Sequence, residues 1–426
     1  MDDARAARSG RHLSGLLIAC SLAVGAAPAA EERADATPTA AAPFSVGYRV
    51  CELPSTDHNG VKAALTTAVW YPTRAAAKAY AYPPQTAPRR PPRTRLALDA
   101  APAGDAGPFP LVMFIHGGFG CAVSNAFLCE HLAANGYVVC ASDYSDRLAP
   151  DFREQLAFGR LGPGRTGRPW RVLVEVGRWA RYVHADHDAF VRYINSFRVK
   201  PASASLDAMI DLNRRADSPF HGLIDEKRIG VAGHSMGGTT VQGLCGANTR
   251  SELTDSRIRA ALILSAAVNP WEGRLDRITI PRMLMYGDHD EPVNPRFPRR
   301  LGYLQAVAPR YWLILKDAHH VTFGNPPDED LSVARRSDPK AAAICRYGLA
   351  FFDRHLRKDR RADAVLSRTD KALTYYRYEV VTGRERVFGM EPPYGPGTGG
   401  DSGGVRHFIR NLWRKRLTPT SRPAHR

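Results

Sequence analysis

From Pro110 onward, short apolar runs alternate with segments of helical periodicity, the signature of a parallel sheet built from strand–helix–strand units. Strands are expected at Leu111 to Ile115, Tyr137 to Ser142, Arg228 to Ala232, Ala260 to Ser265, Arg282 to Tyr286 and Tyr311 to Leu315. Helices fit between them at about 122–134, 237–246, 296–307 and 339–356. One interval breaks the rhythm: about 85 residues separate Ser142 from Arg228, where a single crossover unit needs roughly 30. The surplus begins with an Arg- and Gly-rich stretch and continues into a helical pattern with Val176, Trp179, Val183, Phe190, Ile194 and Phe197 on one stripe, which reads as a lid-like insert over 147–200. His184, His187 and Asp188 have metal-like helical spacing, but His187 falls on that stripe and is expected to be a buried, satisfied histidine, so no metal site is assigned.

Ahead of this region, Phe44 to Leu53 and Lys62 to Tyr71 are β-rich and flank a turn closed by Asn59-Gly60, giving an antiparallel hairpin with His58 in its turn. Residues 72–108 carry eight prolines and many Ala and Arg residues, which suits a long surface loop. At the N-terminus Arg5, Arg8 and Arg11 precede the apolar run Leu16 to Ala27, with Ala27-Pro28-Ala29 as a small-residue cleavage site. Residues 1–29 therefore read as an export signal, followed by a linker at 30–43, and place the protein in the periplasm or outside the cell. Leu17-Ile18-Ala19-Cys20 resembles a lipobox and leaves a lipoprotein as the second version of export.

Six cysteines remain beyond Cys20, spread over apolar segments without a C-x-x-C pair, so neither a zinc ribbon nor a thioredoxin-like site is indicated, and no disulfide pairing can be chosen. The chain carries 59 Lys plus Arg against 42 Asp plus Glu, a net charge of +17. Without a recognisable nucleic-acid module this reads as a solvated Arg-rich surface, and no nucleic-acid partner is expected. The C-terminal part, 367–426, reads as an extension holding a Gly/Pro-rich linker and a basic tail. There Phe408, Ile409, Leu412 and Trp413 beside Arg406, Arg410, Arg414, Lys415 and Arg416 form a basic amphipathic pattern suited to an anionic membrane surface.

The chemistry concentrates in three places. Gly233-His234-Ser235-Met236-Gly237 follows the strand Arg228 to Ala232 and opens a helical segment, the context a nucleophile elbow requires. A serine needs a base, and the base needs a carboxylate to fix its tautomer, so the elbow predicts the order Ser, acid, His. The acid is placed at Asp290, with Asp288 and Glu291 as local alternatives that otherwise serve as turn formers or solvated charges. The base is one of the adjacent pair His319-His320, which cannot both face the serine. Upstream, His116-Gly117-Gly118-Phe119-Gly120 ends a strand in glycines, and the oxyanion donors are expected to be the N–H groups of Met236 and Gly118, with Phe119 the alternative to Gly118. No phosphate-loop pattern is present at this turn, and no cofactor is called for.

Taken together, Val46-Gly47-Tyr48-Arg49, Val69-Trp70-Tyr71-Pro72, His116-Gly117-Gly118, Gly233-His234-Ser235-Met236-Gly237-Gly238, Gly287 with Asp290, and His320-Val321-Thr322-Phe323 resemble the dienelactone hydrolase-like and platelet-activating-factor acetylhydrolase-like serine esterases of the α/β-hydrolase fold, from about Val46 to Leu366. Cutinase-type polyester hydrolases share the same elbow. The resemblance implies an α/β-hydrolase domain over 44–366, a mostly parallel sheet with the hairpin at its N-terminal side, and cofactor-free cleavage of small or lipid-like acyl esters through an acyl-enzyme. It also prefers His320 as the base, since His320-Val321-Thr322-Phe323 resembles the family's His-x-Ser-Phe. A serine peptidase or amidase on the same fold is the alternative. True dienelactone hydrolases use a cysteine where this chain has Ser235, which argues against their reaction.

Overall fold

The computed structural model describes residues 42–56, 62–82, 92–118, 120–144, 187–267, 269–271, 273–290, 300–326 and 330–390. Within these, twelve strands join in one mixed sheet: β1 Ser45–Thr56, β2 Lys62–Thr73, β3 Lys78–Ala81, β4 Arg93–Leu98, β5 Phe109–Ile115, β6 Val138–Ser142, β7 Ile224–His234, β8 Ile258–Leu264, β9 Arg282–Gly287, β10 Arg310–Leu315, β11 Leu373–Glu379 and β12 Glu385–Gly389. Their spatial order is β12-β11-β10-β9-β8-β7-β5-β6-β2-β1-β4-β3. The six strands from β6 to β10 run parallel, and β2 joins β6 antiparallel. The hairpin pairs from Ser45 with Thr73 to Thr56 with Lys62, longer than the sequence indicates, and its turn residue His58 lies outside the described residues.

The parallel strands are apolar on both faces because helices cover both. Along β5 every residue is buried, and the pleat sends Leu111, Met113 and Ile115 to one side and Val112 and Phe114 to the other. The first side packs against Ile194, Leu206 and Val241, from helices His187–Ile194, Lys200–Arg214 and Met236–Gln242. On the second lie Phe127, Leu132, Ile344 and Phe351, from helices Ala126–Ala134 and Pro339–Phe352. Three layers result, helix–sheet–helix.

Several expectations need correction. The stretch 72–108 is no plain loop, since β3 and β4 form an antiparallel pair within it and β4 attaches to β1 through Gly47 and Tyr48. A polar network anchors this pair: fully buried Glu130 accepts from Tyr82 Oη (2.9 Å), Thr94 Oγ1 (2.7 Å) and Arg335 Nη1 (2.7 Å), and Trp70 Nε1 donates to Tyr82 Oη (2.7 Å). The domain expected over 44–366 does not end at Leu366 either. β11 pairs antiparallel with β10 and buries Tyr375 and Tyr376, β12 pairs with β11, and only residues after Met390 of the expected C-terminal extension lie outside the described residues. Of the lid-like insert 147–200, residues 147–186 lie outside the described residues, while 187–200 belong to the body: Phe190 and Phe197 join the main core instead of overhanging anything. Between Arg300 and Leu304 a short helix stands where a helix over 296–307 is expected.

The segment His187–Arg214 winds as one helix interrupted by a π-turn at Asn195–Val199. Pro201 accounts for the interruption, because it lacks an N–H and its ring crowds the carbonyl of Phe197 four residues back. The six cysteines Cys51, Cys121, Cys129, Cys140, Cys245 and Cys345 are free thiols, five of them buried.

His355, buried beside Tyr311 (Oη to Nε2 3.0 Å), is pushed down to about 3 by burial first and then by the charges of Arg354 and Lys358. Its folded value lies below the unfolded one, so the unfolded chain binds the extra proton between roughly pH 6.5 and 3, and stability from this group falls as pH drops through that window. The limit is about 1.4 kcal/mol per pH unit. Urea unfolding of His355→Leu should show a slope of stability against pH between 6 and 4 that is shallower by up to that amount; an unchanged slope would count against a neutral buried His355.

Candidate active site

Five adjacent strands, β5, β7, β8, β9 and β10, each run parallel and end on the same rim of the sheet. The residue just past each end decides what the rim can do. After β7 the chain reverses at Ser235, whose backbone takes φ 55° and ψ −122° before helix Met236–Gln242 starts. This turn is possible only because its neighbours lack side chains. A Cβ on Gly233 would lie 2.5 Å from the Gly237 carbonyl carbon, and one on Gly237 would land inside the carbonyl of Ile115. The elbow thus jams against the end of β5, and its serine projects at the rim.

Past β10, His320 brings Nε2 to 2.9 Å from Ser235 Oγ. On its other side His320 Nδ1 lies 3.1 Å from Asp290 Oδ1, just beyond β9. Asp290 has a side chain with no solvent exposure, and that of His320 is one-quarter exposed. The structure therefore brings together Ser235, His320 and Asp290, three residues distant in sequence, in one hydrogen-bonded line.

The local alternatives fall elsewhere. His319 is exposed and its Nδ1 lies 3.3 Å from the His289 carbonyl, away from the serine. Asp288 accepts from the backbone N–H groups of Asp317 (3.0 Å) and Ala318 (3.1 Å), tying the acid loop to the histidine loop. Glu291 and Phe119 lie outside the described residues. Met236 is the first residue of its helix, where N–H groups have no intrahelical acceptor, and Gly118 stands at the end of β5 next to the elbow. His187 is exposed in the first turn of its helix, not buried as its stripe position indicates; His184 lies outside the described residues.

Two partners in the site have no counterpart in the sequence reading. Ser265, at φ 48° just past β8, donates its hydroxyl to Asp290 Oδ2 and stands 2.7 Å from His320 Nδ1. It therefore accepts from the imidazole while donating to the carboxylate, which keeps the proton on Nδ1 and leaves Nε2 free to accept from Ser235. The only signal for it is a polar residue at the C-terminal end of an apolar parallel strand. His234, between Gly233 and Ser235, donates from Nε2 to the backbone carbonyl of His320 (3.0 Å) and lies ring to ring with it at 5.0 Å. Burial, then the neighbouring His320 ring, pushes His234 down to about 3, so it stays neutral and serves as a strut for the histidine loop.

A family model described as PET hydrolase-like matches residues 189–380, just under half of the chain and a span that contains Ser235, Ser265, Asp290 and His320. With the strand order above, this decides the class. The chain has the α/β-hydrolase fold. The match supports a place in the serine esterase group of that fold. No curated protein matches the chain. The turn Gly117-Gly118, expected to supply an oxyanion donor, precedes the matched span.

Steady-state kinetics on an ester should rank the site. His320→Ala is expected to lose at least about a thousandfold in kcat and His319→Ala less than about threefold. Asp290→Asn should lose orders of magnitude by presenting the wrong tautomer, while Asp288→Asn should not. Ser265→Ala, which deletes one hydrogen bond to a buried carboxylate, should cost about tenfold in kcat with KM unchanged. The reverse histidine ranking would move the base to His319.

Proposed function

We propose that this hydrolase cleaves carboxylic esters through an acyl-enzyme, and the observation that carries the reading is the unbroken line from Ser235 Oγ through His320 to buried Asp290 on a strained elbow. Ser235 Oγ attacks the ester carbonyl as His320 Nε2 takes its proton, and Asp290 stabilises the imidazolium. The carbonyl π electrons move to oxygen, where the N–H groups of Met236 and Gly118 receive the charge. Collapse expels the alkoxide, which takes the proton from His320, leaving Ser235 acylated. Water then repeats the sequence, with His320 as base, and releases the carboxylate.

The substrate class rests on less. The PET hydrolase-like match favours ester over amide bonds and is compatible with a polyester as well as with small or lipid-like acyl esters. A series of p-nitrophenyl esters from two to twelve carbons, beside matched anilides and bis(2-hydroxyethyl) terephthalate, separates these. Esters are expected to exceed anilides by orders of magnitude in kcat/KM, and acyl chains of four to eight carbons to exceed acetate, each buried methylene being worth about 0.8 kcal/mol. Comparable anilide turnover would make the protein an amidase or peptidase. Ser235→Ala should abolish both turnover and fluorophosphonate labelling; residual activity above about a thousandth would remove the assignment.

Export is part of the same proposal, supported by the basic, apolar and small-residue order of residues 1–29. N-terminal sequencing of the protein from cells distinguishes a start at Ala30 from a lipidated start at Cys20, and an intact Met1 would reject both. The basic stripe at 405–417 supports contact with an anionic membrane. Full-length protein should co-sediment with phosphatidylserine-containing vesicles more than a form ending at Pro393; equal binding rejects this role.

A further inference from the structure

The π-turn at Asn195–Val199 places a cation against the end of β5. Arg198 is fully buried, donates from Nη1 to the carbonyl of His116 (2.8 Å) and from Nη2 to the carbonyl of Gly117 (3.2 Å), and lies over the ring of Tyr144 at 5.5 Å. The Gly117 carbonyl takes two more donors, His116 Nδ1 (2.7 Å) and the N–H of Gly120 (3.1 Å). The tautomer of His116 is set by its other nitrogen, since Nε2 accepts from the N–H of Tyr144 at 3.1 Å. Three donors thus converge on one backbone oxygen, and this oxygen belongs to the peptide that leads into Gly118.

That peptide lies beside the nucleophile: a Cβ on Gly117 would stand 3.2 Å from Ser235 Cβ. In a planar trans peptide the N–H points opposite to the C=O. Pinning the Gly117 carbonyl on the Arg198 side therefore fixes the Gly118 N–H on the opposite side. We propose that Arg198 is a positioning residue for the oxyanion hole, holding the Gly117–Gly118 peptide so that the Gly118 N–H faces the carbonyl oxygen of a substrate at Ser235. The inference rests on the serine-hydrolase reading above. The guanidinium also polarises the peptide it binds, which strengthens the N–H as a donor to a developing negative charge. Its effect belongs to the transition state and not to ground-state binding, which separates it from a residue that merely fills space.

The test compares the full-length wild type with Arg198→Lys and Arg198→Met, using p-nitrophenyl butyrate, a trifluoromethyl ketone that becomes an oxyanion on Ser235, and thermal unfolding. Lysine keeps the charge and one of the two hydrogen bonds, so kcat should fall about tenfold with KM within twofold; methionine should lose about a hundredfold. Affinity for the trifluoromethyl ketone should weaken by the same factor as kcat in each variant. If only Arg198→Lys folds, it decides by the same criteria. An unchanged kcat, a loss that appears in KM, an unmoved inhibitor affinity, or failure of both variants to fold would overturn the proposal, the last because Arg198 would then be structural. Failure of the underlying reading looks different: Ser235→Ala would retain turnover. If Ser235→Ala is inactive while Arg198→Lys runs at full rate, only the role of Arg198 falls.

Discussion

Ser235 is held at φ 55° and ψ −122°, a conformation that costs a residue with a side chain about 1–3 kcal/mol and persists only where the surroundings over-determine it. Here the surroundings are backbone on backbone. Gly237 presses on the Ile115 carbonyl and Gly233 on Gly237, so the end of β5, the end of β7 and the first turn of the following helix lock together without intervening side chains. The same contact fixes the distance between Ser235 and the turn that carries Gly118. Relaxing the elbow would move both at once.

Around that fixed point the remaining parts arrive from neighbouring strands, and each is held by a second group. Asp290 is buried with His320 and Ser265 on its two oxygens. His320 is steadied at its backbone carbonyl by His234, a residue of the elbow itself. Because His234 stays neutral, this strut does not compete for a proton with the imidazole it supports. The result is a closed set of contacts in which Ser235, His320 and Asp290 each help to orient another, the arrangement that would keep the proposed reacting groups preorganised.

The additions to the sheet serve its edges. Buried Glu130, bridged to Arg335, Tyr82 and Thr94, binds β3 and β4 to the body, and the aromatic residues of β11 extend it past β10. A carboxylate this deep is tolerated because an arginine and two hydroxyls meet it; with Arg335 removed it would be an uncompensated buried charge. The outer strands flank the parallel centre and leave its C-terminal rim to the loops that carry Ser235, Asp290 and His320.

Much of this was legible from the residues. Apolar runs of strand length at regular spacing give the parallel centre, since a strand covered on both faces must be apolar throughout. The elbow was legible because its strain demands glycine at fixed offsets, and Asp290 and the pair His319-His320 because the chemistry demands an acid and then a histidine beyond strand ends, His320 being preferred only through the family resemblance. The outlying strands were not: β3, β4 and β12 are short and only partly apolar, and prolines around β4 mask it as loop. Choosing between His319 and His320 on geometry required the tertiary structure, because adjacent residues differ only in which way the loop turns them. Ser265 and Arg198 lay beyond reach for the same reason. Serines recur throughout this chain and arginine is its commonest charge, and their roles arise only when β8 is laid between β7 and β9 and a π-turn forced by Pro201 points a guanidinium at two carbonyls. Local sequence determines which chemistry the backbone can hold, whereas the order of strands in space determines which side chains share it.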